Sequence, residues 1–310
     1  MRRYAAAAAT LAIMVPFAPA HEGGEPYAAP GALPEMSPAT LPARYAATHR
    51  EIGRAHATAE RVRDTGRARA LAGFLRPGRR FLSFDARGDG RIVEVLGDLE
   101  RADRVAVVVP GADGNLVNFD SPKWAGGGAR ALADQARRAA PGARLAVVAW
   151  LGYASPSTRG PVVLTAGRAD DGARELRRLV AGIHAVNARA KVGLLCHSYG
   201  SVVCGRAAPD LPVDEIALFG SPGTTAGSVA GLRTAARVWA GRSEGDWTAY
   251  VPKVRALGIG FGRDPVSPAF GAVRFDAGTG PHSGYLRAGS TALRNLTLIA
   301  LGRDAEVRRG

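Results

Sequence analysis

Residues 191–205 constrain the chain more than any other stretch. Val192-Gly193-Leu194-Leu195 is a short apolar run of the kind that forms a buried strand. Cys196-His197-Ser198-Tyr199-Gly200 then turns sharply, and Ser201-Val202-Val203-Cys204-Gly205 continues in small and apolar residues that read as a helix packed back on the sheet. The result is a strand–turn–helix with a serine at its apex. Such a shape suits nucleophilic chemistry, because a serine hydroxyl attacks poorly until it stands clear of the sheet where a base can take its proton. The same turn offers the backbone N–H after the serine to a developing oxyanion.

The rest of the chain places this turn in a layered fold. Phe81-Leu82-Ser83-Phe84-Asp85 and Arg91-Ile92-Val93-Glu94-Val95-Leu96 flank a Gly/Asp turn and predict a hairpin. Continuous runs at 104–109, 144–150, 214–219, 237–240 and 272–275 predict further strands, the first β-branched as in buried parallel sheets. Between them, helical spacing predicts helices over 125–140, 170–187 and 284–301, after a helical region over 41–75 that Gly66 breaks in two. A hairpin followed by alternating strands and helices gives a three-layer α/β/α sandwich with a mostly parallel sheet. Ligands bind such sheets at the carboxyl ends of the strands, where Ser198 and the loop Pro110-Gly111-Ala112 both lie.

A serine used this way needs a base and an acid to orient it, in the chain order Ser, Asp or Glu, His. Only His282 follows Ser198, on a Gly-rich turn before the final helix. The acid belongs just beyond the penultimate strand, where Asp246 qualifies; Asp264 is the rival, Glu244 a third choice, and Asp264 equally suits a turn cap before Pro265. The oxyanion donors expected are the N–H groups of Tyr199 and Ala112. Phe119, Trp124, Tyr153 and Trp247 are candidates to line the cleft or to fill the core. His49 and His56 lack a third ligand and read as surface residues, so no metal site is expected, and the chemistry calls for no cofactor.

Composition and termini narrow the class. The 310 residues are 46% apolar and 22% charged, as in a globular chain. The net charge of +14 comes from arginines spread along the chain, with no basic run interleaved with aromatics, which argues against nucleic acid as partner. Met1-Arg2-Arg3, an apolar stretch to Phe17 and Ala18-Pro19-Ala20 read as a secretory signal peptide over residues 1–20, cleaved after Ala20. No other segment is long and apolar enough to span a membrane. Residues 21–40 read as a flexible linker and 41–310 as the folded domain with an N-terminal helical segment. Export permits Cys196 and Cys204 to form a disulfide, and two free buried thiols fit equally.

The loop 110–115, Trp150-Leu151-Gly152-Tyr153, Cys196-His197-Ser198-Tyr199-Gly200-Ser201, Phe219-Gly220-Ser221-Pro222-Gly223, Phe270-Gly271-Ala272 and Pro281-His282-Ser283-Gly284-Tyr285 together carry a resemblance. Over about 81–301 the chain is similar to the exported α/β-hydrolase family common in actinobacteria and long classed as a domain of unknown function. It departs from the pattern at Cys196, where glycine is usual, and at Ala154, where relatives often carry an acid. The resemblance implies the α/β-hydrolase fold and a Ser–His–Asp triad, but no substrate. The expected function is an exported serine hydrolase acting on a small or lipid-like ester, with amides within reach. The alternative is a catalytically silent binding or envelope protein on the same fold.

Overall fold

The computed structural model describes residues 24–255 and 259–310. The signal-peptide expectation falls outside the described residues. Two helices come first, α1 (Leu41–Arg61) and α2 (Thr65–Phe74). The break between them lies at Arg63, in the left-handed region with φ 61°, and at Asp64, whose side chain caps α2 by accepting from Arg67 N–H. Gly66, expected to be the breaker, sits inside α2. An aspartate that can satisfy a free helix N–H outweighs the weak helix propensity of glycine.

The hairpin forms as expected from β1 (Arg80–Asp85) and β2 (Arg91–Leu96). There follow β3 (Arg104–Val109), α3 (Ala125–Ala139), β4 (Leu145–Leu151), α4 (Gly167–Val186), β5 (Lys191–His197), α5 (Gly200–Ala207), β6 (Glu215–Phe219), β7 (Arg237–Gly241), β8 (Val273–Arg274) and α6 (Thr291–Ala300). The eight strands form one sheet in the order β1-β2-β4-β3-β5-β6-β7-β8, parallel from β4 to β8 and antiparallel at β1 and β2.

The sheet is buried on both faces, and alternate residues of one strand feed different layers. Val105, Val107 and Val109 of β3 pack with α4 and α5, whereas Ala106 and Val108 pack with α3 and α6. This is the three-layer sandwich read from the sequence. α6 begins at Thr291, not at 284: Gly289 has φ 80° and Ser290 caps the helix through Leu293 N–H, so the preceding residues stay in turns.

Residues 24–40 differ from the flexible linker expected for 21–40. The Tyr27 side chain is buried, its hydroxyl donates to Asp64 at 3.1 Å, and the Arg67 guanidinium lies over its ring. Glu25 accepts from Gly88 N–H at 2.8 Å, and Met36 packs against the core beside Gly182. One aromatic and one thioether supply the apolar contact that the Pro/Ala/Gly composition hides.

The strand register matters most for the site. Val109 pairs with Cys196, His197 with Phe219, and Phe219 with Gly241. The carboxyl ends of β3, β5, β6 and β7 are therefore level, and the loops at 110–115, 198–200 and 242–248 leave one edge side by side.

Candidate active site

Ser198 follows β5 directly and has φ 52°, in the left-handed region that costs a non-glycine residue about 1 kcal/mol. The strain is held by tight neighbours. Ser198 N–H donates to Phe219 C=O at 3.0 Å. A Cβ on Gly200 would lie 2.6 Å from the carbonyl oxygens of Val109 and Pro110, so only glycine lets α5 start this close to β3. At Cys196 the glycine of the related pattern is not needed, because its side chain turns to Cys204 in α5 and forms a disulfide, fully buried.

Three of the residues singled out by the sequence meet at Ser198. The imidazole of His282 lies with Nε2 2.9 Å from Ser198 Oγ and Nδ1 2.9 and 3.0 Å from the two carboxylate oxygens of Asp246. Gly245 pairs with Pro281 in an isolated bridge that sets the two loops edge to edge. Asp246 is buried. Burial raises its pKa, but hydrogen bonds from His282 and Tyr285, the charge of His282 and the Thr248 N–H together hold its carboxyl well below the usual range. An ionised carboxylate only accepts, so His282 Nδ1 carries the proton and its Nε2 lone pair faces the serine hydroxyl.

Asp264 and Glu244 lie elsewhere. Asp264 forms an ion pair with Arg242 at 2.5 Å and accepts from Val266 N–H, which makes it a turn cap. Glu244 is exposed. His197 points away from the hydroxyl. Its Nε2 is 2.8 Å from the backbone oxygen of His282, an acceptor only, so His197 donates there and straps the His282 loop down. Burial, then the facing His282, depresses its pKa to about 3, so it stays neutral.

The two residues expected to supply oxyanion donors both line the pocket. Among the described residues neither Tyr199 N–H nor Ala112 N–H has a protein acceptor. The Gly111–Ala112 peptide is oriented from behind: Gly111 C=O accepts from Ser155 Oγ at 2.8 Å and Tyr153 Oη at 3.1 Å. In a trans peptide the Ala112 N–H points the opposite way, toward the pocket. A Cβ on Gly111 would come within 2.7 Å of Ser198 Cβ, so this loop too approaches only as glycine.

Sequence reasoning missed several supporting groups. Tyr285 donates to Asp246 at 2.5 Å while accepting from Ser243 N–H at 3.1 Å. Thr248 donates to Asp246 through both N–H and Oγ1. Gly220, with φ 56°, clears space that a Cβ would take 2.9 Å from Asp246 and 3.2 Å from His282. Tyr285 stands three residues after His282 in the stretch already quoted, which was the only signal for it. Of the aromatic candidates, Trp124 and Trp247 line the pocket, Trp247 with its ring 4.6 Å from that of His282. Phe119 packs on Phe74 in the core, and Tyr153 is buried in a stack with Trp150 and Tyr199. Ala154 is exposed and outside this pocket.

The pocket over Ser198 has a volume of about 370 Å³. Its walls are mainly apolar, from Val163, Leu164, Trp247, Val251, Phe261 and Leu286. This is within the ordinary range for a small-molecule site. Among the described residues no group of three or more His, Cys, Asp or Glu side chains could hold a metal ion, and no helix is long and apolar enough to cross a membrane.

Comparison with known proteins places the chain in a family. An uncharacterized protein of Mycobacterium tuberculosis is 31% identical over 252 residues, covering 69% of this chain and 37% of that protein. Another, from Mycobacterium bovis, is 33% identical over 159 residues, covering 48% of this chain and 59% of its own length. The chain therefore spans less than two thirds of these curated relatives. Among solved structures, a dienelactone hydrolase from Anabaena variabilis is similar at 14% identity and a TM-score of 0.46, over 75% of this chain and 99% of its own. A family model described as alpha/beta hydrolase matches residues 85–256, more than half of the chain, and the chain belongs to that family.

Proposed function

We propose that the protein is an exported serine hydrolase that cleaves carboxylic esters. The observation that carries this reading is the unbroken line of hydrogen bonds from Ser198 through His282 to Asp246 beneath an apolar pocket. Ser198 Oγ attacks the ester carbonyl carbon while its proton passes to His282 Nε2. The carbonyl oxygen becomes an oxyanion held by Tyr199 N–H, at the head of α5, and by Ala112 N–H. Collapse breaks the carbon–oxygen bond to the alcohol, which leaves with the proton from His282. Water repeats the sequence on the acyl-serine, and the carboxylic acid departs. Asp246 keeps the imidazole in the required tautomer and stabilises the imidazolium between the two transfers. Amides fall within the same chemistry.

Export is supported by the basic–apolar–small pattern of residues 1–20 and by the pairing of both cysteines, which suits an oxidising compartment. A fluorophosphonate probe should label the purified protein at Ser198, and p-nitrophenyl esters of graded chain length should be turned over. Folded protein that neither takes the label nor hydrolyses any ester would favour a silent binding protein on the same fold.

A further inference from the structure

Eight large apolar side chains stand exposed among the described residues, and six of them fall on two segments. Val162 and Leu164 lie on 161–165, and Trp247, Tyr250, Val254 and Ile259 on 247–262; their exposures run from 46% to 88%. The segments are neighbours in space. Thr165 pairs with Ile259 in an antiparallel bridge, and Gly260 N–H donates to Leu164 C=O at 3.0 Å. The same segments supply Val163, Leu164, Trp247, Val251 and Phe261 to the pocket wall. Apolar side chains of both segments therefore extend from the pocket wall out to solvent. Single exposed apolar residues need no explanation, but a contiguous patch continuous with a binding cleft marks an interaction surface.

Charge indicates what lies opposite. Residues 152–168 and 247–263 contain no Asp or Glu. Arg159, Arg255 and Arg263 in them are exposed. Of the carboxylates at or beside the pocket, Asp246 is held by His282 and Asp264 by Arg242, and Asp113 accepts from Thr158 on the side away from 247–263. An apolar centre with a cationic border matches an anionic lipid surface, where buried apolar area and attraction to headgroups act together. A second copy of the chain fits less well. In a two-fold dimer the patch would meet itself and bring like charges together.

We infer that the mouth of the pocket docks on an anionic lipid surface and that the ester cleaved at Ser198 is drawn from that surface. The docking stands on the patch alone; the cleavage rests on the function proposed above. The two are separated by measuring binding with the Ser198→Ala protein, which needs no turnover. It should co-float with vesicles of phosphatidylcholine and phosphatidylserine, bind phosphatidylcholine vesicles several-fold more weakly, and lose the difference at high salt.

Tyr250→Ser, Val254→Ser and Ile259→Ser together should weaken vesicle binding at least about tenfold, because they remove most of the exposed apolar area of the 247–262 segment. None of the three lines the pocket, so the same changes in the active protein should leave p-nitrophenyl butyrate turnover unchanged. If that variant misfolds, Arg255→Gln with Arg263→Gln should reduce binding to the anionic vesicles alone. Vesicle binding without any ester turnover would sink the proposed function and keep the docking surface. Turnover of soluble esters with no vesicle binding would overturn the docking surface. So would a dimer in solution that the triple variant splits, which would assign the patch to a second copy.

Discussion

Residues 241–248 and 247–262 overlap in the chain and meet the same pocket, yet the side chains each contributes are treated in opposite ways. The first stretch buries Ser243, Asp246 and Thr248, and Asp246 accepts from three different residues. The second leaves Trp247, Tyr250, Val254 and Ile259 in water. The contrast separates two tasks. Proton transfer needs atoms held within a fraction of an ångström, and only buried, fully partnered groups are held that well. Surface recognition needs area more than exact placement, and exposed apolar side chains supply area.

The largest expected effect tests that division within one pair of carboxylates. Asp246→Asn should lower kcat by roughly 10⁴, because the amide no longer fixes the His282 tautomer. Asp264→Asn, which breaks only the pair with Arg242, should lower it less than about tenfold. Comparable losses in steady-state ester hydrolysis would show that Asp264, beyond the exposed stretch, also serves the chemistry. Asp246→Asn should also cost about 1–3 kcal/mol of stability in denaturant titration, since an N–H₂ would face the donors of Tyr285 or Thr248. That cost is not legible in the sequence, because those donors become visible only in the fold.

A smaller loss is expected from Gly220→Ala. The residue has φ 56°, and the added Cβ would press on Asp246 and His282. Displacing the pair by about 1 Å should reduce kcat on the order of 10², with KM for a short ester little changed. A variant as active as the parent would mean that the loops yield more than their hydrogen bonds suggest. Tyr285→Phe removes one donor from Asp246 and should cost about tenfold in kcat, the loss expected for a single bond to a charged group. A drop in stability with kcat unchanged would reduce Tyr285 to a packing residue.

What could be read in advance follows from the range of the forces involved. The strands were legible because β-branched runs such as Val105 to Val109 declare burial locally. The turn at Ser198 was legible because an apolar strand run ends there and Gly200 opens a run of small and apolar residues. Ser198, Asp246 and His282 could be named because chain order and strand ends restrict where each can stand. Tyr285, Thr248, Ser155 and the strap from His197 could not. Their roles depend on which carbonyl or carboxylate lies opposite after folding; Ser155 and Gly111 are 44 residues apart. The early start assigned to α6 and the break assigned to Gly66 failed for a local reason. In both places a capping side chain, Ser290 or Asp64, decided the boundary over helical spacing. Phe119 and Tyr153 show the same limit for aromatics, since a ring near a strand end reads alike whether it faces the cleft or the core.

The smallest effect concerns stability at the floor of the pocket. His197 is neutral when folded, held to a pKa of about 3 by burial and by the facing His282, against the opposing pull of the His282 carbonyl and of Asp246. Phe219 and Tyr285 cover it on the other sides and carry no charge there. Unfolded, the imidazole returns to its ordinary value near 6.5. Below that value the unfolded chain binds a proton that the folded chain refuses, so stability falls as pH drops from about 6.5 toward 3, by at most about 1.4 kcal/mol per pH unit. Asp246 and Asp85 have depressed pKa values, so their contributions persist above the ordinary carboxylate range and fade only below it. Glu215, whose pKa burial raises, works in the opposite sense as pH falls, so it is the difference between the parent and a His197 variant from pH 7 to pH 5 that reports His197. His197→Gln keeps a donor for the His282 carbonyl but cannot take up the proton. Its Tm should fall less than that of the parent between pH 7 and pH 5, while its kcat at pH 7 stays within about tenfold. Equal falls in Tm would show that His197 is already protonated, or solvated, in the folded protein, and that the floor of the pocket is wetter than its partners imply.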